Sequence, residues 1–145
     1  MSVIARAQIE LPQPISNAFA QFTDYSTWSA WMPASFRPLR GPRRALRAGD
    51  RLLVRMGPGL VTRLEVLRLQ GDREICWRGG VPGLIVGEHS FFFDDLGEDG
   101  TRIRSEEPFR GLLPRISPIG QAIAQQAGAV GEAMLRGFRD FAQSR

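Results

Sequence analysis

The stretch GEHSFFFDD, residues 87–95, sets the only histidine of the chain directly before three consecutive phenylalanines. Side chains alternate across a β-strand, so His89, Phe91 and Phe93 share one face and Glu88, Ser90, Phe92 and Asp94 take the other. In the following segment, residues 101–109, Ile103, Ser105, Glu107 and Phe109 fall on one face, opposite Arg102, Arg104 and Glu106. The second of these faces is heavily charged, so the first is expected to point inward. By the same reasoning His89, Phe91 and Phe93 are the inward set of their strand, and Ile75 and Trp77 the inward pair of the strand before. These segments predict a sheet with one apolar face and one wet face, which is the pattern of antiparallel strands.

Working outward, residues 2–11 (SVIARAQIEL) alternate in the same way, and Pro12 and Pro14 end that strand. Ile15, Ala18, Phe19 and Phe22 then follow helical spacing, with Pro14 suited to a first turn. Thr23 or Asp24 can cap a second short helix carrying Tyr25, Trp28 and Trp31, which Pro33 stops. Further strands are expected over 36–40, 50–56, 60–69 and 73–77. Turn signals at GPG (57–59), QGD (70–72), GGVPG (79–83) and GEDG (97–100) separate the strands. Hairpin-length spacing implies an antiparallel meander, because parallel strands need longer crossovers.

Ser117 and Pro118 resemble a cap and a first-turn proline. Beyond them Ile119, Ile123, Ala127, Val130, Met134, Phe138 and Phe141 keep steps of three and four. That predicts a helix of about 26 residues, nearly 40 Å long at about 1.5 Å per residue. Each interior glycine costs about 1 kcal/mol relative to alanine. Gly120, Gly128, Gly131 and Gly137 should therefore serve a close approach to the sheet or leave room beside the helix. Only this helix is long enough to cover the sheet, and the expected fold is α+β. A curved antiparallel sheet wraps around a long C-terminal helix, with two short helices after the first strand, in one domain over 1–145.

Composition excludes several classes. Hydrophobic (43%) and charged (23%) shares are those of a soluble globular protein. No apolar run approaches the roughly 20 residues of a membrane span, and the charged, alternating N-terminus does not resemble a signal peptide. No integral membrane association is expected, and a cytoplasmic location is the default. Cys76, the single cysteine, can form no internal disulfide and sits in the apolar run ICW, where a buried thiol is expected. With one histidine and one cysteine, a metal site would depend on carboxylates, so no metal and no cofactor are expected. The formal charge of +4 rests on 19 basic residues, all arginine. They are scattered apart from RPLRGPRRALR (37–47), which reads as a solvated loop, so no nucleic-acid partner is expected.

Four stretches carry a family resemblance: WSAWMPASF (28–36), Gly49-Asp50 opening a strand, CWRGGVPGLIVGEHSFFF (76–93), and GTRIRSEEPFRGLL (100–113) leading into the last helix. Through them nearly the whole chain resembles the START-like helix-grip superfamily. That group is also labelled SRPBCC or polyketide cyclase/dehydrase and includes the birch-pollen-allergen-like plant proteins and lipid-transfer domains. None of these stretches is a catalytic fingerprint, and such folds host binders, transporters and cyclases. The resemblance implies a cavity between sheet and C-terminal helix, with aromatic residues among its walls.

Residues expected to line that space are Trp28, Trp31, Phe36, Trp77, His89, Phe91, Phe93, Ile103, Glu107, Phe109, Ile123, Ala127, Val130 and Met134. Aromatics at such spacing also serve as plain core, and both readings stay open. His89 and Glu107, on the inner face of adjacent strands, are the candidate catalytic pair. A carboxylate there would raise the imidazole pKa relative to an isolated buried histidine. They either satisfy each other in the core or face a ligand together. Ser90 is expected to face outward, and no activated nucleophile is evident. The expected function is binding of a small hydrophobic or amphipathic ligand such as a lipid, polyketide or aromatic metabolite. The alternatives are a metal-free cyclase/dehydratase using His89 and Glu107, and an interaction or stress-response protein acting through the basic loop.

Overall fold

The computed structural model describes residues 3–144. Ser2, at the start of the expected first strand, and the side chain of Val3 lie outside that description. Seven strands, β1 (Val3–Leu11), β2 (Arg37–Arg40), β3 (Arg51–Arg55), β4 (Val61–Gln70), β5 (Glu74–Val81), β6 (Ile85–Asp95) and β7 (Thr101–Arg110), form one sheet in the order β1-β7-β6-β5-β4-β3-β2. Every neighbouring pair is antiparallel. From β2 to β7 the strands follow in sequence as a meander, and β1 closes on β7. The chain crosses from one edge of the sheet to the other through helices α1 (Ile15–Phe22) and α2 (Trp28–Trp31). The long helix α3 (Ile119–Gln143) follows β7.

Two local expectations are revised. The GGVPG turn starts later than its glycines suggest, since β5 runs on through Gly79 and Gly80 to Val81, which pairs with Ile85. Ser117 does not cap α3; Pro118 occupies the cap position and no side chain caps the helix. Asp24 does cap, accepting from the Ser26 N–H at 3.1 Å at the head of the short turn before α2.

The register builds the inner face in cross-strand rows. Leu52, Leu64, Gly79, Gly87 and Phe109 make one, and Val66, Trp77 and His89 the next. Ile75, Phe91, Ser105 and Ala7 follow, then Phe93, Ile103 and Ile9. Short helices and the C-terminal half of α3 cover this face. Phe22 is the hinge of the packing, with ring centroids 4.8 Å from Phe91, 5.1 Å from Phe138 and 5.2 Å from Trp31. Full burial of such a ring contributes about 1.5–3 kcal/mol. Two of the buried indoles are hydrogen-bonded, Trp28 Nε1 donating to the Phe22 carbonyl (2.9 Å) and Trp31 Nε1 to Thr27 Oγ1 (3.1 Å).

Candidate functional site

His89 stands in the middle of the inner face and is 3% exposed. Its ring stacks on Phe91 at 4.2 Å and meets Trp77 edge-on at 5.5 Å. Nε2 lies 2.6 Å from Ser105 Oγ, and Nδ1 lies 3.5 Å from Glu107 Oε1. Helix α3 closes the pair from above at Gly131, where an added Cβ would lie 3.0 Å from Ser105 Oγ and 3.8 Å from His89 Nε2. Burial drives the His89 pKa down to about 3, so the imidazole is neutral at physiological pH. Desolvation therefore outweighs the lift expected from the neighbouring carboxyl. A neutral ring has one N–H. With Nδ1–H turned to Glu107, Nε2 accepts the Ser105 hydroxyl.

Ser105 is the residue that sequence reasoning undervalued. Its place on the inner face was legible, but its role as the partner of His89 was not. The direct partner of the imidazole is this hydroxyl, 2% exposed, with Glu107 at longer range. The serine–histidine–glutamate order resembles a nucleophile relay. Both Ser105 and His89 are sealed by packing, so the arrangement as it stands satisfies buried polar groups.

Glu107 is different. Its side chain is 17% exposed, yet burial raises its pKa to about 7. It sits where the packed interior ends. Gly87, across on β6, makes room for it, since a Cβ there would lie 2.7 Å from Glu107 Oε2 and 2.8 Å from the Phe109 ring. Beyond Glu107, towards the start of α3, the facing side chains are less buried. Met134, Leu135, Phe138 and Ala142 of α3 are fully buried, whereas Ile123, Ala127 and Val130 are only half-buried, as is Phe109.

The expected lining set is thus brought onto one inner surface but divides in two. Trp28, Trp31, Phe36, Trp77, His89, Phe91, Phe93, Ile103 and Met134 pack against one another in the interior. Glu107, Phe109, Ile123 and Ala127 are half-buried towards the first half of α3, and half-buried Val130 packs against the interior core. A recess of about 980 Å³ lies elsewhere, on the outer face of the sheet, lined by Arg40, Arg51, Arg63 and Arg78 among others. In the basic loop, Arg44 is held by Asp50 through paired hydrogen bonds of 2.9 Å, and Leu46 N–H bonds the Thr23 carbonyl beside α1. Cys76 is fully buried, and burial pushes its thiol pKa up, which leaves it unreactive.

No protein-family model matches the chain, and no curated protein matches it. Solved structures do. The di-domain ARO/CYC StfQ from the steffimycin biosynthetic pathway superposes with a TM-score of 0.77 at 14% identity, over 100% of this chain and 52% of its own. DynU16, from the dynemicin biosynthetic locus, gives 0.74 at 14% identity over 98% of this chain and 48% of its own. This chain therefore spans about half the length of both. A norcoclaurine synthase of Thalictrum flavum, solved with a transition-state analogue, gives 0.77 at 11% identity over 99% and 95% of the two chains. At such identities the likeness concerns architecture: a seven-stranded antiparallel sheet gripping a C-terminal helix. The chain thus carries the helix-grip fold that the resemblance of its sequence implied.

Proposed function

We propose that the protein binds a small hydrophobic or amphipathic molecule between the sheet and the first half of α3, with the Glu107 carboxyl as its polar contact. The observation that carries this reading is the position of Glu107 at the boundary between the packed interior and the less buried end, with its pKa raised to about 7. A desolvated carboxyl beside half-buried Phe109, Ile123, Ala127 and Val130 suits a ligand with an apolar body and one hydrogen-bonding group. The neighbours named for polyketide aromatase/cyclase chemistry and norcoclaurine synthesis are compatible with a polyketide-like or aromatic ligand. A cytoplasmic setting, where the buried Cys76 thiol stays reduced, belongs to the same proposal.

The test is titration with the amphiphilic dye 1-anilinonaphthalene-8-sulfonate, alongside mass spectrometry of material extracted from the purified protein. Wild type should bind the dye, and Ala127→Trp, which fills the space from α3, should abolish binding with an unchanged circular dichroism spectrum. Absence of binding by wild type, or equal binding by the filled variant, would refute the reading.

One observation favours a second reading, a cyclase- or dehydratase-like enzyme. A carboxyl titrating near neutrality beside a neutral imidazole can take or give a proton at working pH. Turnover of a candidate substrate should then follow a pKa near that of Glu107 and vanish in Glu107→Gln.

A further inference from the structure

Three segments converge at the end of the sheet remote from α1: the β3–β4 turn, the β5–β6 turn, and the connection from β7 to α3. Leu112 N–H bonds the Gly83 carbonyl and Leu113 N–H the Leu84 carbonyl, both at 3.0 Å, joining two of them. Pairing of Leu64 with Gly79 brings the third alongside. Of the large apolar side chains exposed among the described residues, all but Ile4 and Leu39 belong to these segments. Leu60 and Val61 come from the first, Val81 and Leu84 from the second, and Leu112, Ile116 and Ile119 from the third. Leu60 is 54% exposed, Val81 55% and Leu112 58%. Exposed apolar surface gathered in this way marks an interaction site.

The charge around it is predominantly positive. Residues 51–64, 75–87 and 108–131 contain no Asp or Glu, yet carry Arg51, Arg55, Arg63, Arg78, Arg110 and Arg115. Immediately behind the tips, the paired residues Arg40, Leu53 and Arg63, and Gly80, Val86 and Arg110, line the same recess of about 980 Å³. Of the nearest acids, Glu65 pairs with Arg78 at 3.6 Å and Glu88 with Arg110, while Glu107 faces His89 on the inner side. Arg40, Arg55, Arg63 and Arg115 make no ion pair among the described residues.

We propose that this end of the molecule docks on an anionic lipid bilayer, its apolar tips entering the interface while the arginines behind them meet lipid phosphates. Apolar side chains in front of a band of arginines match the layered order of such an interface. A second copy of the chain is disfavoured by charge, because it would set arginines against each other. No helix among the described residues is long and apolar enough to span a membrane, so the contact is peripheral.

The experiment is co-sedimentation of the full chain with vesicles of phosphatidylcholine containing phosphatidylglycerol, against pure phosphatidylcholine vesicles. Wild type should bind the anionic vesicles and be released by added salt. Leu60→Asp with Leu112→Asp should abolish binding with an unchanged thermal melt, since both side chains are exposed. Arg55→Gln with Arg63→Gln should weaken it by about tenfold or more. Failure of wild type to bind, or unaltered binding by either double variant, overturns the proposal. So does a wild-type dimer that Leu112→Asp dissociates, which would give the tips to a second copy. Vesicle binding does not depend on what the inner site holds.

Discussion

His89, buried, and Glu107, half-buried, are two titratable groups shifted by the same cause in opposite directions. Burial opposes the charged form of each, so the histidine falls to about 3 from 6.5 and the carboxyl rises to about 7 from 4.5. The two act oppositely on stability. Between pH 6.5 and 4.5 an unfolded chain protonates His89 while the folded one does not, which destabilises the fold as pH falls. Over the same range Glu107 keeps its proton only when folded, which stabilises the fold as pH falls. The contributions cancel, so stability should be flat across that window apart from the remaining groups. In Glu107→Gln the histidine contribution stands alone. Its denaturant-derived stability should drop below pH 6.5 with a slope of about 1.4 kcal/mol per pH unit, while above pH 7 the variant should exceed wild type. A wild type and variant with parallel pH profiles would show that Glu107 titrates normally.

The logic of α3 is carried by its glycines, which differ in what they face. At Gly137 an added Cβ would stand 2.3 Å from the backbone carbonyl of Trp31, which cannot move without shifting α2. At Gly131 the neighbour is the Ser105 hydroxyl at 3.0 Å, and at Gly128 nothing lies within 4 Å. Alanine is favoured over glycine by about 1 kcal/mol in a helix interior. Gly128→Ala should therefore stabilise the protein by about 0.5–1 kcal/mol. Gly131→Ala should be close to neutral or mildly destabilising. Gly137→Ala should cost about 1–3 kcal/mol, the range for overpacking a tight interface. Chemical denaturation of the three variants checks that order. Equal effects at all three positions would mean that the helix does not approach the sheet as described. The spacing of these glycines showed that something unusual faced the helix, but not which of them touched what.

Across the whole molecule, packing is graded from one end of the sheet to the other. At the α1 end, Phe22, Phe91, Phe93 and Phe138 interlock, while at the far end Ile123, Ala127 and Val130 are half-covered and the tips are bare. Local opening costs least where few apolar contacts are broken. Hydrogen exchange should accordingly find the amides of 131–142 protected to near the global limit, together with those of β5 to β7. The amides of 123–128 should exchange at least tenfold faster, in keeping with about 1.4 kcal/mol less local stability. Uniform protection along α3 would contradict a loosened first half, and with it the space assigned to a ligand.

Much of this architecture was legible without coordinates. A strand has a period of two and a helix a period near 3.6, and both periods are written in the order of residues such as His89-Ser90-Phe91 and Met134 to Phe138. Alternation alone placed Ile103, Ser105, Glu107 and Phe109 on the inner face and told the charged side of β7 from the apolar one. What alternation cannot carry is depth. Whether an inward residue meets another side chain or open space depends on where a distant element comes to rest, and Gly131 and Gly137 set that for α3. Trp77, Phe91 and Met134 are thus fully buried, while Glu107 and Phe109, on the same face, are half-buried. The partner of His89 was likewise a matter of tertiary structure. Ser105 lies 16 residues away in sequence, and only the register of β6 against β7 under the closing helix turns its hydroxyl to Nε2. The sequence by itself determined the elements, their order and their inward faces, because these follow from local periodicity. The tertiary structure alone decided the cover over each inward face, the pKa shifts that cover produces, and the convergence of three acid-free segments into one apolar, arginine-backed end.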